Sequence, residues 1–310
     1  MILMAAIELD GLTKRFGDVL AVDDLDLMVE EGEIFGFLGP NGAGKSTTID
    51  ILLDFVRPTS GTASVLGYDA QKESLQVRQR IGVLPDAYHV YDRLTGRQHM
   101  EFVVESKGAD ADIEAIMERT KILEAADRKA GGYSKGMRQR LVLAMALVGD
   151  PDLLILDEPA TGLDPNGARE MREIIRAEND RGTTVFFSSH IMEQVEAICD
   201  RVAIINKGGL VAVDSIDGLR GSSDTTTTLE ITVSNAGEDD AEMVRALGGV
   251  QSATLEGDTL RVTMSGDGSK FDVLNALDDA GVEVGDFSVD EYSLEDLFVK
   301  YTTEQQEVEA

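Results

Sequence analysis

Gly39-Pro40-Asn41-Gly42-Ala43-Gly44-Lys45-Ser46-Thr47 sits between a short apolar run, 34–38, and a segment of helical spacing, 44–55. Strand, glycine-rich turn and helix in that order, with a lysine and hydroxyls at the helix start, make a phosphate-holding loop. The glycines let backbone N–H groups curl around β- and γ-phosphate oxygens. Lys45 adds a compact positive charge, Ser46 offers a hydroxyl to Mg²⁺, and the helix start adds its dipole. The competing reading is a glycine-rich turn with no ligand, and the matching context on both sides favours the loop.

A second turn of similar character follows far along the chain, in Gly131-Gly132-Tyr133-Ser134-Lys135-Gly136-Met137-Arg138-Gln139-Arg140. It offers a hydroxyl at Ser134, a flexible Gly136 and a basic helix start, yet the first loop already supplies a phosphate cradle. Ser134 also suits the simpler role of capping its own helix, which is compatible with either reading.

Outward from the loop, 6–9, 25–29, 34–38 and 62–66 read as strands of a small sheet. Segment 97–126 reads as about two helices and 134–148 as another. The run Leu153-Leu154-Ile155-Leu156-Asp157-Glu158-Pro159 reads as a strand buried on both faces. A helix at 167–181, a buried strand 183–190, a helix 192–199 and a hairpin, 202–206 with 210–213, follow. Strands alternating with helices imply an α/β fold with a mostly parallel sheet. At 221–228 the composition turns to Gly, Ser, Asp and Thr, which reads as a linker. Beyond it, strand 229–234, helix 239–247, strands 251–255 and 259–264, helix 269–280 and strand 284–289 give the β-α-β-β-α-β order of a ferredoxin-like α+β domain. A last helix is expected at 294–301 and a frayed tail at 304–310. The expected domains are 1–220, with a helical part at about 87–150, and 229–303.

Two acids at the end of a buried strand are costly unless a cation or substrate meets them. Asp157 suits a Mg²⁺ held through its water shell, and Glu158 suits orienting or deprotonating an attacking water. A solvated strand-end pair is the plainer reading, and the phosphate loop tips the balance against it. His190 ends the next buried strand at the carboxyl edge, where such sheets bind ligands.

The chain has 310 residues, 43% of them hydrophobic and 28% charged, which is globular composition. Its longest apolar run, 141–148, is too short to cross a bilayer. Segment 1–7 lacks the basic flank of a secretion signal. The single cysteine, Cys199, allows no internal disulfide and fits a reducing compartment, so a cytoplasmic location is expected. A formal charge of −30 opposes direct grip on nucleic acid or anionic headgroups. Its acids are spread along the chain, which fits a salt-rich cytoplasm that screens self-repulsion; an ordinary acidic cytosolic protein is the rival.

These motifs together resemble the ATPase subunit of an ATP-binding-cassette transporter, a P-loop NTPase cassette with an N-terminal antiparallel β subdomain and a helical subdomain. The resemblance runs from Ile7 to about Leu219. It rests on the Walker A loop 39–47, the signature 133–137, the Walker B strand 153–157 with Glu158, the D-loop Gly162-Leu163-Asp164 and the switch His190. It implies ATP and Mg²⁺ as ligands, a separate transmembrane permease, and a second copy of the chain that closes head to tail around two ATP molecules. Ser134 and Gly136 would then hold the γ-phosphate on the partner copy's loop. Asp86 falls at the family's Q-loop glutamine and would reach Mg²⁺ through a water. Lys135 and Met137 stand where the family has glycine and glutamine. Phe16 falls at the adenine-stacking aromatic; a core phenylalanine is its rival. Tyr88, Tyr91 and Phe102 would meet the permease, or else fill the helical core. The C-terminal extension, with Ser293-Leu294-Glu295-Asp296-Leu297-Phe298, is similar to that of drug, lipid and sodium exporters, which places the chain on the inner face of the membrane through its permease. Two other functions compete: a soluble cassette ATPase of translation or DNA metabolism, and a nucleotide-sensing scaffold.

Overall fold

The computed structural model describes residues 5–222, 227–265 and 268–290. The chain divides into two compact units, 1–215 and 216–310.

The first unit begins with two long antiparallel strands, β1 (Ala5–Phe16) and β2 (Val19–Glu30), then β3 (Ile34–Leu38) and helix α1 (Lys45–Leu52). Strands β4 (Ser60–Val65) and β5 (Tyr68–Asp69), helix α2 (Ser74–Arg80) and strand β6 (Ile81–Leu84) follow. Helices α3 (Gly96–Lys107), α4 (Ile113–Arg119) and α5 (Lys135–Ala146) come next, and then β7 (Leu153–Asp157), α6 (Pro165–Asn179), β8 (Thr184–Ser189), α7 (Met192–Glu196) and the hairpin β9 (Arg201–Asn206) with β10 (Gly209–Ser215).

These strands form two sheets. One is antiparallel, in the order β2-β1-β4-β5. The other runs β10-β9-β3-β8-β7-β6, with parallel pairing from β9 through β6 and an antiparallel edge at β10. Every residue of β3, β7 and β8 is buried, as expected of parallel strands covered on both faces. The aromatics of β3 and β8 lock their registers: Phe35 pairs with Phe186, their rings stacked with centroids 6.1 Å apart, and Phe37 leans on Phe186 at 5.1 Å. Because β3, β8 and β7 are neighbours, the segments leaving their carboxyl ends converge. Those segments are the phosphate loop, the Ser188–His190 turn and the Asp157–Glu158 pair.

The three longer helices of the 87–150 segment carry side-chain caps. Thr95 accepts from Gln98 N in a capping box, Asp112 accepts from Ala115 N, and Ser134 accepts from Met137 N.

The second unit opens with helix α8 (Ile216–Ser222), followed by β11 (Thr227–Ser234), α9 (Glu238–Arg245), β12 (Val250–Glu256), β13 (Thr259–Met264), α10 (Lys270–Asp279) and β14 (Glu283–Asp290). Its sheet runs β12-β13-β11-β14 with every pair antiparallel, which is the ferredoxin-like order. Leu229, Ile231 and Val233 alternate inward from the central β11 onto Ala241, Val244, Val273 and Leu277 of the helices.

The expected linker at 221–228 differs from the structure at both ends. Residues 221–222 finish α8 and 227–228 begin β11, because a helix started at Ile216 and a strand started in the threonine run each extend past the compositional edge. The division between units accordingly falls at 215/216, ahead of the expected 220. The helix expected at 294–301, the 293–298 segment and the tail 304–310 lie outside the described residues. Among the described residues no helix is long and apolar enough to cross a membrane.

Phe186 is fully buried between Phe35 and Phe37. Phe186→Ala is expected to lower the unfolding free energy by about 3–5 kcal/mol, measured by urea titration at fixed KCl. A loss below about 1 kcal/mol would show that β3 and β8 do not depend on this stack.

Candidate active site

Gly44 ends the phosphate loop at φ 107°, and a Cβ there would lie 2.5 Å from the Ala21 carbonyl oxygen. Only glycine fits that close approach, which turns the chain from β3 into α1. The turn carries Lys45 inward, where it is 6% exposed. Its Nζ donates to Gly39 O at 2.6 Å and to Pro40 O at 3.3 Å, and lies 3.7 Å from Glu158 Oε1. Burial pushes the Lys45 ammonium below its usual pKa, against the Glu158 and Asp157 charges that hold its proton on.

Asp157 and Glu158 are 7% and 8% exposed. Ser188 Oγ donates to Asp157 Oδ1 at 2.8 Å, and Ser46 Oγ donates to Oδ2 at 3.4 Å. Burial raises the Asp157 carboxyl above the ordinary range; the Ser188 bond lowers it, and the charges of Asp86 and Glu158 add to the rise. Glu158 N donates to Ser188 O at 3.0 Å, which ties the end of β7 to β8. His190 Nδ1 lies 2.8 Å from Glu158 Oε1, and Thr161 Oγ1 donates to Oε2 at 2.8 Å. A carboxylate only accepts, so His190 donates to Glu158 through Nδ1.

The fold therefore brings Lys45, Ser46, Asp157, Glu158 and His190 into one cluster, with the exposed Asp86 close enough for its charge to bear on Lys45 and Asp157. It does not bring Ser134 and Gly136 there. The Ser134 hydroxyl accepts from Met137 N at 3.2 Å, Gly136 O accepts from Arg140 Nε at 3.4 Å, and neither residue hydrogen-bonds to 39–47. Phe16 is 47% exposed with Lys14 Nζ 4.7 Å from its ring centroid, so the core reading for Phe16 fails. Tyr91 and Phe102, 62% and 60% exposed, are likewise not core residues, whereas Tyr88 is half-buried. Tyr88, Leu53, Phe55, Val83 and Val103 line an apolar groove of about 600 Å³.

Three contributors escaped the sequence reading. Ser188 and Ser189 are fully buried at the end of β8, and a buried hydroxyl needs a partner. That rule could have pointed from Ser188 to Asp157. Ser189 Oγ meets Gln194 Oε1 at 3.4 Å and accepts from Ile191 N at 3.0 Å, which shapes the turn bearing His190. Thr161 stands three residues after Glu158, one turn away, and only the fold of the 158–163 turn aims it back.

The donor set also tests which ligands fit. Asp157, Glu158 and Asp86 outnumber Lys45 around the loop, so a triphosphate alone would meet net repulsion. Ser46 Oγ and an Asp157 oxygen are hard oxygen donors beside the cradle and suit a small divalent cation that completes its shell with water and phosphate. Among the described residues no group of three or more His, Cys, Asp and Glu could hold a metal by itself.

Asp157 also sets a pH dependence. Its raised pKa means that the folded chain without ligand binds its proton more tightly than the unfolded chain does. This group therefore favours folding at low pH and opposes it progressively as pH rises from the usual carboxylate range through the raised value. Asp157→Asn is expected to raise the unfolding midpoint of the ligand-free chain at pH 7 by a few degrees, with the gain shrinking towards pH ~4. Thermal unfolding across pH checks it, and a lower midpoint at pH 7 would contradict it.

Residues 22–161 match the family described as ABC transporter, and residues 215–302 match the C-terminal domain of DrrA1-3-like ATP-binding proteins. The daunorubicin resistance ATP-binding protein DrrA3 of Streptomyces coeruleorubidus is 33% identical over 312 residues, covering 98% of either chain. The Nod factor export ATP-binding protein I of Burkholderia lata is 41% identical over 214 residues, 67% of this chain and 70% of that one. A solved ATP-binding subunit of an ABC transporter superposes with a TM-score of 0.63 at 26% identity, over 69% of this chain and 92% of that one. With the phosphate loop, paired acids and histidine gathered at one sheet edge, the chain belongs to the ABC transporter ATP-binding proteins and is an ATPase of that family with a DrrA-like C-terminal domain.

Proposed function

We propose that this ATPase works as one half of a head-to-tail pair that closes around two MgATP molecules and drives a separate membrane permease outward. The carrying observation is a separation within one copy. Lys45, Ser46, Asp157, Glu158 and His190 form a single cluster, while Ser134 and Gly136 spend their hydrogen bonds inside α5 and its cap. A second copy supplies what the first lacks: its signature turn, with the dipole of α5 behind it, closes over the γ-phosphate.

In this reading Lys45 and the amides of Gly39, Pro40's successors Asn41, Gly42, Ala43 and Gly44, and Ser46 and Thr47 cradle the β- and γ-phosphates. Phe16, beside Lys14, offers its exposed ring to the adenine. Ser46 and Asp157 would hold Mg²⁺, with Asp86 reaching it through water, and the ion would supply charge neutralisation between the phosphate oxygens. Glu158 takes the proton of the attacking water as its oxygen bonds to the γ-phosphorus and the bond to ADP breaks. His190, fixed by its Nδ1 donation, presents Nε2 to water and γ-phosphate.

Outward transport is supported by the printed names of relatives, which speak of drug resistance and export. The groove lined by Tyr88 and the exposed Phe55, with Tyr91 and Phe102 also exposed, suits the cytoplasmic helices of the permease, which would hold the ATPase on the inner face of the membrane. We read the second unit as regulatory or supporting the pair.

Mixing subunits tests the pairing. Lys45→Ala and Ser134→Arg chains are each expected to be inactive alone, and a mixed preparation to recover up to about half of the wild-type rate per mixed pair. An inactive mixture, or an active single variant, overturns action across copies.

The −30 charge supports a home in concentrated salt, where the Debye length falls to about 3 Å at 1 M. The unfolding midpoint is expected to rise with KCl from dilute buffer to about 1 M; equal stability in dilute buffer contradicts this.

A further inference from the structure

Glu158 leaves β7 at φ 52°, a conformation that residues with side chains seldom adopt. Its aim is therefore set by what it touches rather than by a continuing strand. The two carboxylate oxygens have different company. Oε1 meets His190 Nδ1 at 2.8 Å and Lys45 Nζ at 3.7 Å. Oε2 accepts from Thr161 Oγ1 at 2.8 Å, while Thr161 N donates to Glu158 O at 3.1 Å. One residue thus holds both the main chain and the side chain of the base.

The end torsion of a glutamate is broad and two-fold, so a single contact through Oε1 leaves the carboxylate free to turn. A second contact through Oε2 removes that freedom. We propose that Thr161 is a positioning residue for hydrolysis: by donating to Oε2 it holds Oε1 towards Lys45 and the phosphate loop, where the attacking water must lie. This rests on the reading of Glu158 as base.

The position of Thr161 extends the role. It is followed directly by Gly162, at φ 69°, in the turn where Leu163 N donates to Ala160 O at 3.3 Å and Asp164 caps α6. The Lys135 ammonium lies close against Gly162, in the space that a Cβ there would need. A shift of the signature turn against Gly162 therefore reaches the base oxygen through one residue.

The test is steady-state ATP hydrolysis by the full chain as wild type, Thr161→Val, Thr161→Ser, Glu158→Gln and the Thr161→Val/Glu158→Gln double variant. Loss of one hydrogen bond to the base predicts a kcat about tenfold lower for Thr161→Val, with KM changed by less than about twofold. Thr161→Ser keeps the hydroxyl and is expected to restore most of the rate. The double variant is expected to be no slower than Glu158→Gln alone, because the group being positioned is gone. Thr161→Ala repeats the loss without valine's shape, and unchanged nucleotide affinity certifies the fold of the site. A wild-type kcat in Thr161→Val and Thr161→Ala, or a serine variant as slow as valine, overturns the proposal. Glu158→Gln at the wild-type rate would instead remove the base reading on which it stands.

Discussion

A carboxylate pair buried beside an ammonium is the constraint around which the first unit is organised. Asp157 and Glu158 sit at the end of a strand covered on both faces, with Lys45 as the near cation. Desolvation works against the Asp157 and Lys45 charges, and the direction of their shifts records that it wins over the attraction between opposite charges in the ligand-free chain. Such an arrangement persists because the surrounding fold imposes it. Parallel pairing places β3, β8 and β7 side by side, so three loops have to meet at one edge. Ser188, Ser46, Thr161 and His190 then distribute hydrogen bonds over all four carboxylate oxygens.

Much of this was legible from residues alone, for identifiable reasons. The phosphate loop reads clearly because backbone curvature demands glycines at fixed places and chemistry demands Lys45 and Ser46 beside them. Continuous apolar runs identified β3, β7 and β8, since burial on both faces erases alternation. The second unit was legible as an element order, and its observed sheet order is the one that this β-α-β-β-α-β pattern takes in the ferredoxin-like arrangement. At 221–228, Gly, Ser and Thr signal turns in composition, while threonine is also a good strand former, and β11 uses the last two threonines of that run. Phe16, Tyr91 and Phe102 show a different limit: an aromatic side chain is as apt for the core as for a ligand or partner, and only coordinates separate the cases.

Contacts made by side chains from different strands were the least legible part. A buried hydroxyl in β8 calls for a partner, but register decides that Ser188 stands opposite Asp157 at the end of β7. Thr161 is close to Glu158 along the chain, yet the left-handed backbone at Glu158 is what lets the turn fold back. The sequence carries the chemical types, and the sheet register and one unusual torsion make them neighbours.

Burial of polar groups also separates the roles of the two units. Every buried polar or charged side chain among the described residues, from Lys45 to Gln194, belongs to the first unit. The core of the second is apolar throughout, built from Leu, Ile, Val, Ala and Met. Desolvating a polar group costs about 1–3 kcal/mol when its partners are imperfect, so such groups concentrate where position matters more than stability. Some of those in the first unit are plainly structural: Glu178 is held by Arg119 at 3.3 Å, and His99 bridges Thr95 O and Tyr91 N. Those at the sheet edge have no such purely local explanation. The described surface of the second unit instead exposes two large aromatics, Phe271 at 76% and Phe287 at 48%.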